Sequence, residues 1–135
     1  MIYFLDTNIC IYTLKDKYPP IKKRVQSLAP DRIKIPSIVK AELLFGALKS
    51  EQRSRNHDVL ERFLDPFEII PFSDVCAEAY SKIRLDLESK GQMIGPNDII
   101  IAATVFAHHG ILVTNNVREY SRILNLKIQD WTHEN

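Results

Sequence analysis

Residues 2–8 read Ile2-Tyr3-Phe4-Leu5-Asp6-Thr7-Asn8, an apolar run of strand length closed by a carboxylate and a threonine. A run of that kind suits a strand, and an Asp-Thr pair behind it suits the start of a helix. The same succession recurs down the chain. Strands are expected at 2–5, 33–36, 68–71, 111–114 and 126–128, and helices at 7–15, 19–28, 38–49, 51–64, 74–90, 97–109 and 117–124. Such alternation implies βαβ units around a parallel sheet of about five strands, an α/β fold.

Punctuation and apolar spacing support those limits. Pro19-Pro20 suits a helix start, and Gly91 and Gly110 suit helix ends. Leu43, Leu44, Ala47 and Leu48 follow one buried stripe, and Val75, Ala79, Ile83 and Leu87 another, with Lys82, Asp86 and Lys90 left on the solvated side. Phe4, Phe45, Phe63, Phe106 and Trp131 fall within apolar patterns and are expected in the core.

The chain has 135 residues with 45% hydrophobic content, enough for one core and one domain, 1–135. Eighteen basic residues face seventeen acidic ones, a formal charge of +1, so a nucleic-acid contact has to be local rather than a global basic field. The longest apolar stretch, 99–107, is far shorter than the roughly 20 residues that span a bilayer, and no export signal pattern precedes Asp6. A cytoplasmic location and no membrane contact are expected. Cys10 and Cys76 lack any metal-ligand spacing and are expected as buried free thiols.

Spacing becomes a site once the topology is considered. In right-handed βαβ units, residues just after a strand and residues at the start of a following helix share the carboxyl-end rim of the sheet. Asp6 follows the first strand, Ser37 and Glu42 follow the second, Thr114-Asn115-Asn116 follow the fourth, and Asp98 opens the helix before that strand. Carboxylates brought together repel one another unless one is protonated or a cation intervenes. Magnesium or manganese would relieve that conflict and would favour a phosphate-bearing substrate. The chain has no Gly-x-Ser-x-Gly elbow, no phosphate-cradling glycine loop and only four glycines, which leaves metal-assisted hydrolysis as the simplest chemistry.

Each acid also has an ordinary explanation. Asp6 suits an N-cap, Asp98 suits the positive end of a helix dipole, and Glu42 suits an exposed helix face. His108-His109 suit a helix end rather than metal ligation, because adjacent helical positions diverge. The basic runs Lys22-Lys23-Arg24 and Arg53/Arg55 suit solvated faces that could also touch RNA phosphates.

Taken in order, Phe4-Leu5-Asp6-Thr7-Asn8, Ala41-Glu42-Leu43 with Gly46, Gly95-Pro96-Asn97-Asp98 with Ala102-Ala103, Leu112-Val113-Thr114-Asn115-Asn116 with Arg118-Glu119-Tyr120, and Gln129-Asp130-Trp131 resemble the PIN-domain ribonucleases, in particular the VapC toxins of toxin–antitoxin pairs. The resemblance implies a three-layer α/β/α fold and a Mg²⁺- or Mn²⁺-dependent endoribonuclease, with tRNA among its targets. It implies Asp6 and Asp98 as metal ligands, Glu42 as ligand or supporting base, and Thr7, Ser37 and Thr114 as hydroxyls that hold water and carboxylates. It further implies a homodimer silenced by a VapB antitoxin in a higher-order complex. Many PIN domains carry a fourth acid where Asn115 or Asn116 stands here. Glu119 could compensate from the next turn or form a surface pair with Arg118.

Other classes fit less well. A phosphatase of the haloacid dehalogenase type needs a second Asp two residues after the first, where this chain has Asn8. A signalling receiver domain needs an acidic pair and a lysine that are missing. A non-catalytic scaffold would require the acids to serve only as caps.

Overall fold

The computed structural model describes residues 1–134. Among them are five short strands: β1 (Tyr3–Leu5), β2 (Ile33–Pro36), β3 (Glu68–Ile70), β4 (Ile111–Val113) and β5 (Lys127–Gln129). Between β1 and β2 lie α1 (Thr7–Leu14) and α2 (Pro19–Ser27), and between β2 and β3 lie α3 (Ser37–Lys49) and α4 (Arg53–Leu64). Helices α5 (Asp74–Ser89) and α6 (Pro96–Ala107) connect β3 to β4, and α7 (Val117–Tyr120) connects β4 to β5. Every pairing is parallel, in the order β3-β2-β1-β4-β5.

The chain builds outward from β1 in two directions. It passes first through β2 to β3, then crosses to the other side of β1 to lay down β4 and β5. The crevice beyond the carboxyl ends of β1 and β4 is therefore the switch point of the sheet, where open α/β folds place their ligands. Register fixes its rim, since Leu5 pairs with Val113 and the next residues are Asp6 and Thr114.

Strands β1 and β4 are buried at every position, as a parallel sheet covered on both faces requires. Phe4 is packed so closely on Gly110 that a Cβ at Gly110 would lie 2.4 Å from Phe4 Cε1, so the glycine after α6 is a steric requirement. Helix α6 buries Ile99, Ile101, Ala102, Ala103 and Val105 and packs on both α5 and β4. Its near-continuous apolar sequence reflects those two neighbours.

Several local expectations are corrected. The helix expected over 117–124 stops at Tyr120, because Arg122 and Ile123 bond back to Glu119 and Tyr120 in tight turns and Asn125 adopts a φ of 64°. A 3-10 turn at Pro30–Arg32 had no sequence signal, and the helix expected from 51 starts at Arg53. In α5 the buried stripe runs through Cys76, Ile83 and Leu87, while Val75 is 57% exposed. Leu48 and Phe45 stand 59% and 61% exposed on α3, with Lys49 over the Phe45 ring, and Phe106 is also exposed. Periodicity identified these helices but misplaced their buried arc, because neighbours cover only part of each apolar face.

Both cysteines are buried and free. His108 caps α6, with its Nδ1 2.8 Å from the Thr104 carbonyl, and His109 turns away with a φ of 54°. No helix among the described residues is long and apolar enough to cross a membrane.

Candidate metal centre

Asp6 performs its local structural role and faces the crevice at once. It is the N-cap of α1, with Oδ1 accepting the Ile9 N–H at 2.9 Å. Its backbone N–H continues the β1–β4 ladder to the Val113 carbonyl, which locks the residue at the strand end. Only 6% of it is exposed. Burial pushes its carboxyl up to about 6, the nearby charges of Asp98 and Glu42 add to that, and hydrogen bonds from Thr114 and Ile9 partly oppose it.

Glu42 reaches the same crevice from the second turn of α3. Its Oε1 accepts from Thr7 Oγ1 at 2.6 Å and its Oε2 from Asn97 Nδ2 at 3.4 Å, so residues at the starts of α1 and α6 hold it from two sides. Asp98 lies in the first turn of α6. Burial raises its carboxyl above the usual range, the Tyr120 hydroxyl lowers it by hydrogen bonding, and the charges of Glu119 and Glu42 raise it again.

These side chains line one cavity of about 150 Å³ formed by Asp6, Thr7, Asn8, Glu42, Asp98, Ile101, Asn116 and Tyr120. Each ordinary role is compatible with the site, because Asp6 caps α1 with one oxygen and Asp98 occupies the positive end of α6. Among the described residues, no group of three or more His, Cys, Asp or Glu side chains is arranged to hold an ion by itself. The donors nonetheless fit a magnesium-like ion. They are oxygen donors only, they include a buried carboxylate lacking a cation, and such an ion takes one or two carboxylates and fills its other positions with water and substrate oxygen.

A PIN-domain model matches residues 3–123. The chain belongs to the PIN-domain family, in its VapC branch. Ribonuclease VapC2 of Rickettsia felis is 43% identical over 132 residues, spanning 97% of this chain and 98% of its own length. A Salmonella typhimurium protein named tRNA(fMet)-specific endonuclease VapC is 39% identical over 129 residues, 96% of this chain and 97% of its own. Among solved structures, VapBC2 from Rickettsia felis bound to a DNA fragment from their promoter contains a chain that matches with a TM-score of 0.91 and 42% identity, covering 97% of this chain and 99% of that one.

The fourth corner of this PIN domain separates two asparagines that the sequence left equivalent. Asn116 lines the cavity and its Nδ2 donates to Glu119 Oε2 at 3.0 Å. Asn115 points elsewhere, with Nδ2 3.5 Å from Asp130 Oδ2. Glu119 is thus tied to the site through Asn116, and no Arg118 pair forms among the described residues. Thr114 is fully buried and accepts the Asn116 N–H at 2.9 Å, and its hydroxyl acts to lower the Asp6 carboxyl.

Ser37 was expected among the supporting hydroxyls but does not line the cavity, because it is the first residue of α3 and Glu42 lies a turn and a half further on. Two other residues gained a place. Asn97 reaches Glu42, and the buried Tyr120 shares the cavity wall with Asp98; burial beside the acids raises its phenol well above the usual range, so it stays protonated. Both lie within the motifs that mark the rim, yet a lone buried aromatic in a four-residue helix gives no sign that it faces the acids.

Proposed function

We infer that this chain is an endoribonuclease toxin of VapC type that hydrolyses RNA phosphodiester bonds by water attack with a divalent cation. The observation that carries this is the convergence of Asp6, Glu42 and Asp98 on one cavity at the switch point of the sheet, with Asp6 buried and its carboxyl raised to about 6.

Asp6 and Asp98 would hold the cation, Mg²⁺ or Mn²⁺, whose chemistry would be to polarise the scissile phosphate and lower the pKa of an attacking water. The other roles belong to the protein. Glu42, fixed by Thr7 and Asn97, is placed to accept a proton from the attacking water or to orient it. Thr114 and Tyr120, whose hydroxyls lower the Asp6 and Asp98 carboxyls, would help to orient them. Asn116 keeps Glu119 against the fourth corner, where an amide adds a donor but no charge. Ser37, at the first residue of α3 and outside the cavity lining, is given no direct role.

The substrate class we assign is tRNA, supported by the tRNA(fMet)-specific endonuclease VapC of Salmonella typhimurium. A VapB-type antitoxin is the assigned inhibitor, supported by the VapBC2 complex. The working toxin is assigned as a cytoplasmic homodimer with one PIN domain per chain. A phosphatase of the haloacid dehalogenase type lacks its second acid, since Asn8 lines the cavity at that place.

The test is cleavage of total tRNA by the purified chain, freed of any antitoxin. Cleavage that needs Mg²⁺ or Mn²⁺ and disappears in Asp6→Asn and Asp98→Asn supports the assignment. Undiminished cleavage in excess chelator rules out the metal mechanism.

A further inference from the structure

A second cleft, sharing no residue with the acidic cavity, carries cations that the fold does not neutralise. Pro20, Lys23, Arg24 and Ser27 repeat at the three- and four-residue spacing that puts them on one face of α2. Opposite them stand Trp131, His133 and Glu134, and the space between is about 280 Å³.

The cleft has a fixed aromatic wall. Trp131 is buried, its ring lies 5.2 Å from that of Tyr3, and its Nε1 donates to Gln129 Oε1 at 2.9 Å. The Arg24 guanidinium lies over this ring, 5.1 Å from the centroid. A guanidinium attracted to an aromatic face is held near it and keeps N–H groups able to bond an oxyanion.

Charge makes the cleft selective. Lys22 is neutralised by Asp16 at 2.8 Å, but among the described residues neither Lys23 nor Arg24 has a carboxylate within 4.0 Å. Glu134 lines the cleft beyond that distance and opposes an anion there. An arginine held over the Trp131 ring beside a lysine without an ion pair matches a phosphate.

We propose that this cleft is a phosphate-binding subsite that grips the RNA backbone away from the scissile bond. The inference rests on the RNA-cleaving function proposed above. Tyr3, which backs Trp131, precedes Asp6 by three residues on β1, about 10 Å of strand, so an RNA as large as tRNA can touch both places. A chain of formal charge +1 has little long-range attraction for RNA, and a local grip would supply it.

The experiment measures binding of labelled total tRNA to the Asp98→Asn protein across a salt series, with and without Lys23→Gln plus Arg24→Gln. The double change should weaken binding about tenfold at moderate salt and reduce the slope of log K against log salt by about 1–2, with Tm unchanged. Glu134→Gln should act in the opposite sense and tighten binding. Unchanged affinity and slope in all variants, while the parent binds, overturn the subsite alone. A parent that binds no RNA overturns the ribonuclease function and the subsite with it. Weakened binding of antitoxin with RNA affinity intact identifies a protein contact instead and also overturns the proposal.

Discussion

Thr7 Oγ1 donates a 2.6 Å hydrogen bond to Glu42 Oε1, joining the first turn of α1 to the second turn of α3 across 35 residues of sequence. Glu42 is half-buried and its other oxygen has only a long contact with Asn97, so Thr7 is its main anchor. Thr7→Val keeps the shape and removes the donor. Turnover of RNA should fall about 10- to 100-fold, while Thr7→Ser should retain most of it. Steady-state kinetics on the two variants, with thermal melts as the folding control, check this.

Asp6 should trade stability against function. Its folded carboxyl is raised to about 6 from an ordinary value of 3.8, so between those values the folded state binds more protons than the unfolded state. Stability from this group is therefore full below about pH 4 and is lost as pH rises through 6. Asp6→Asn keeps an N-cap and removes the buried charge. It should raise stability at pH 7 by about 1–3 kcal/mol while abolishing cleavage, with the gain vanishing near pH 4. Denaturant melts of both proteins across pH measure it. In the wild type, affinity for Mn²⁺ should drop as pH falls below 6.

Three glycines predict three different outcomes for alanine. A Cβ at Gly95 would lie 3.2 Å from Asp98 Oδ2, so Gly95→Ala should displace that carboxylate and reduce activity with little effect on folding. At Gly110 the Cβ would meet the buried Phe4 ring, and the variant should lose about 1–3 kcal/mol or more of stability. Gly46, inside α3 with nothing within 4 Å of its Cβ position, should gain about 0.5–1 kcal/mol. Chemical denaturation ranks the three.

Tyr120→Phe removes the hydroxyl that faces Asp98 across the cavity and lowers its carboxyl, and leaves the buried ring in place. Affinity for Mn²⁺, read by the spectroscopic signal of the free ion, should weaken about tenfold. Saturating metal should restore most of the turnover. A metal titration that overlays the wild type would remove Tyr120 from the account.

Strand order on the rim, read from the sequence, brought Asp6, Glu42 and Asp98 within reach of one another, because the residue after a parallel strand and the opening turns of the helices that start on that rim have few places to go. Side-chain direction was not legible. Asn115 and Asn116 are chemically identical neighbours, and only the turn into α7 decides that Asn116 faces the cavity. Ser37 has a rim position but does not line the cavity, and Tyr120 reads as core until the fold brings it to the same cavity as Asp98. The exposed Phe45 and Leu48 show the same limit, since periodicity reveals an apolar face but not how much of it a neighbour covers.

The most direct test maps new RNA 5′ ends in bacteria after brief expression of the wild-type chain and of Asp98→Asn. The account predicts discrete new ends at a small set of tRNA positions in the wild type and none in the variant. The same ends in both, or growth arrest by the wild type with no new RNA end, would contradict it.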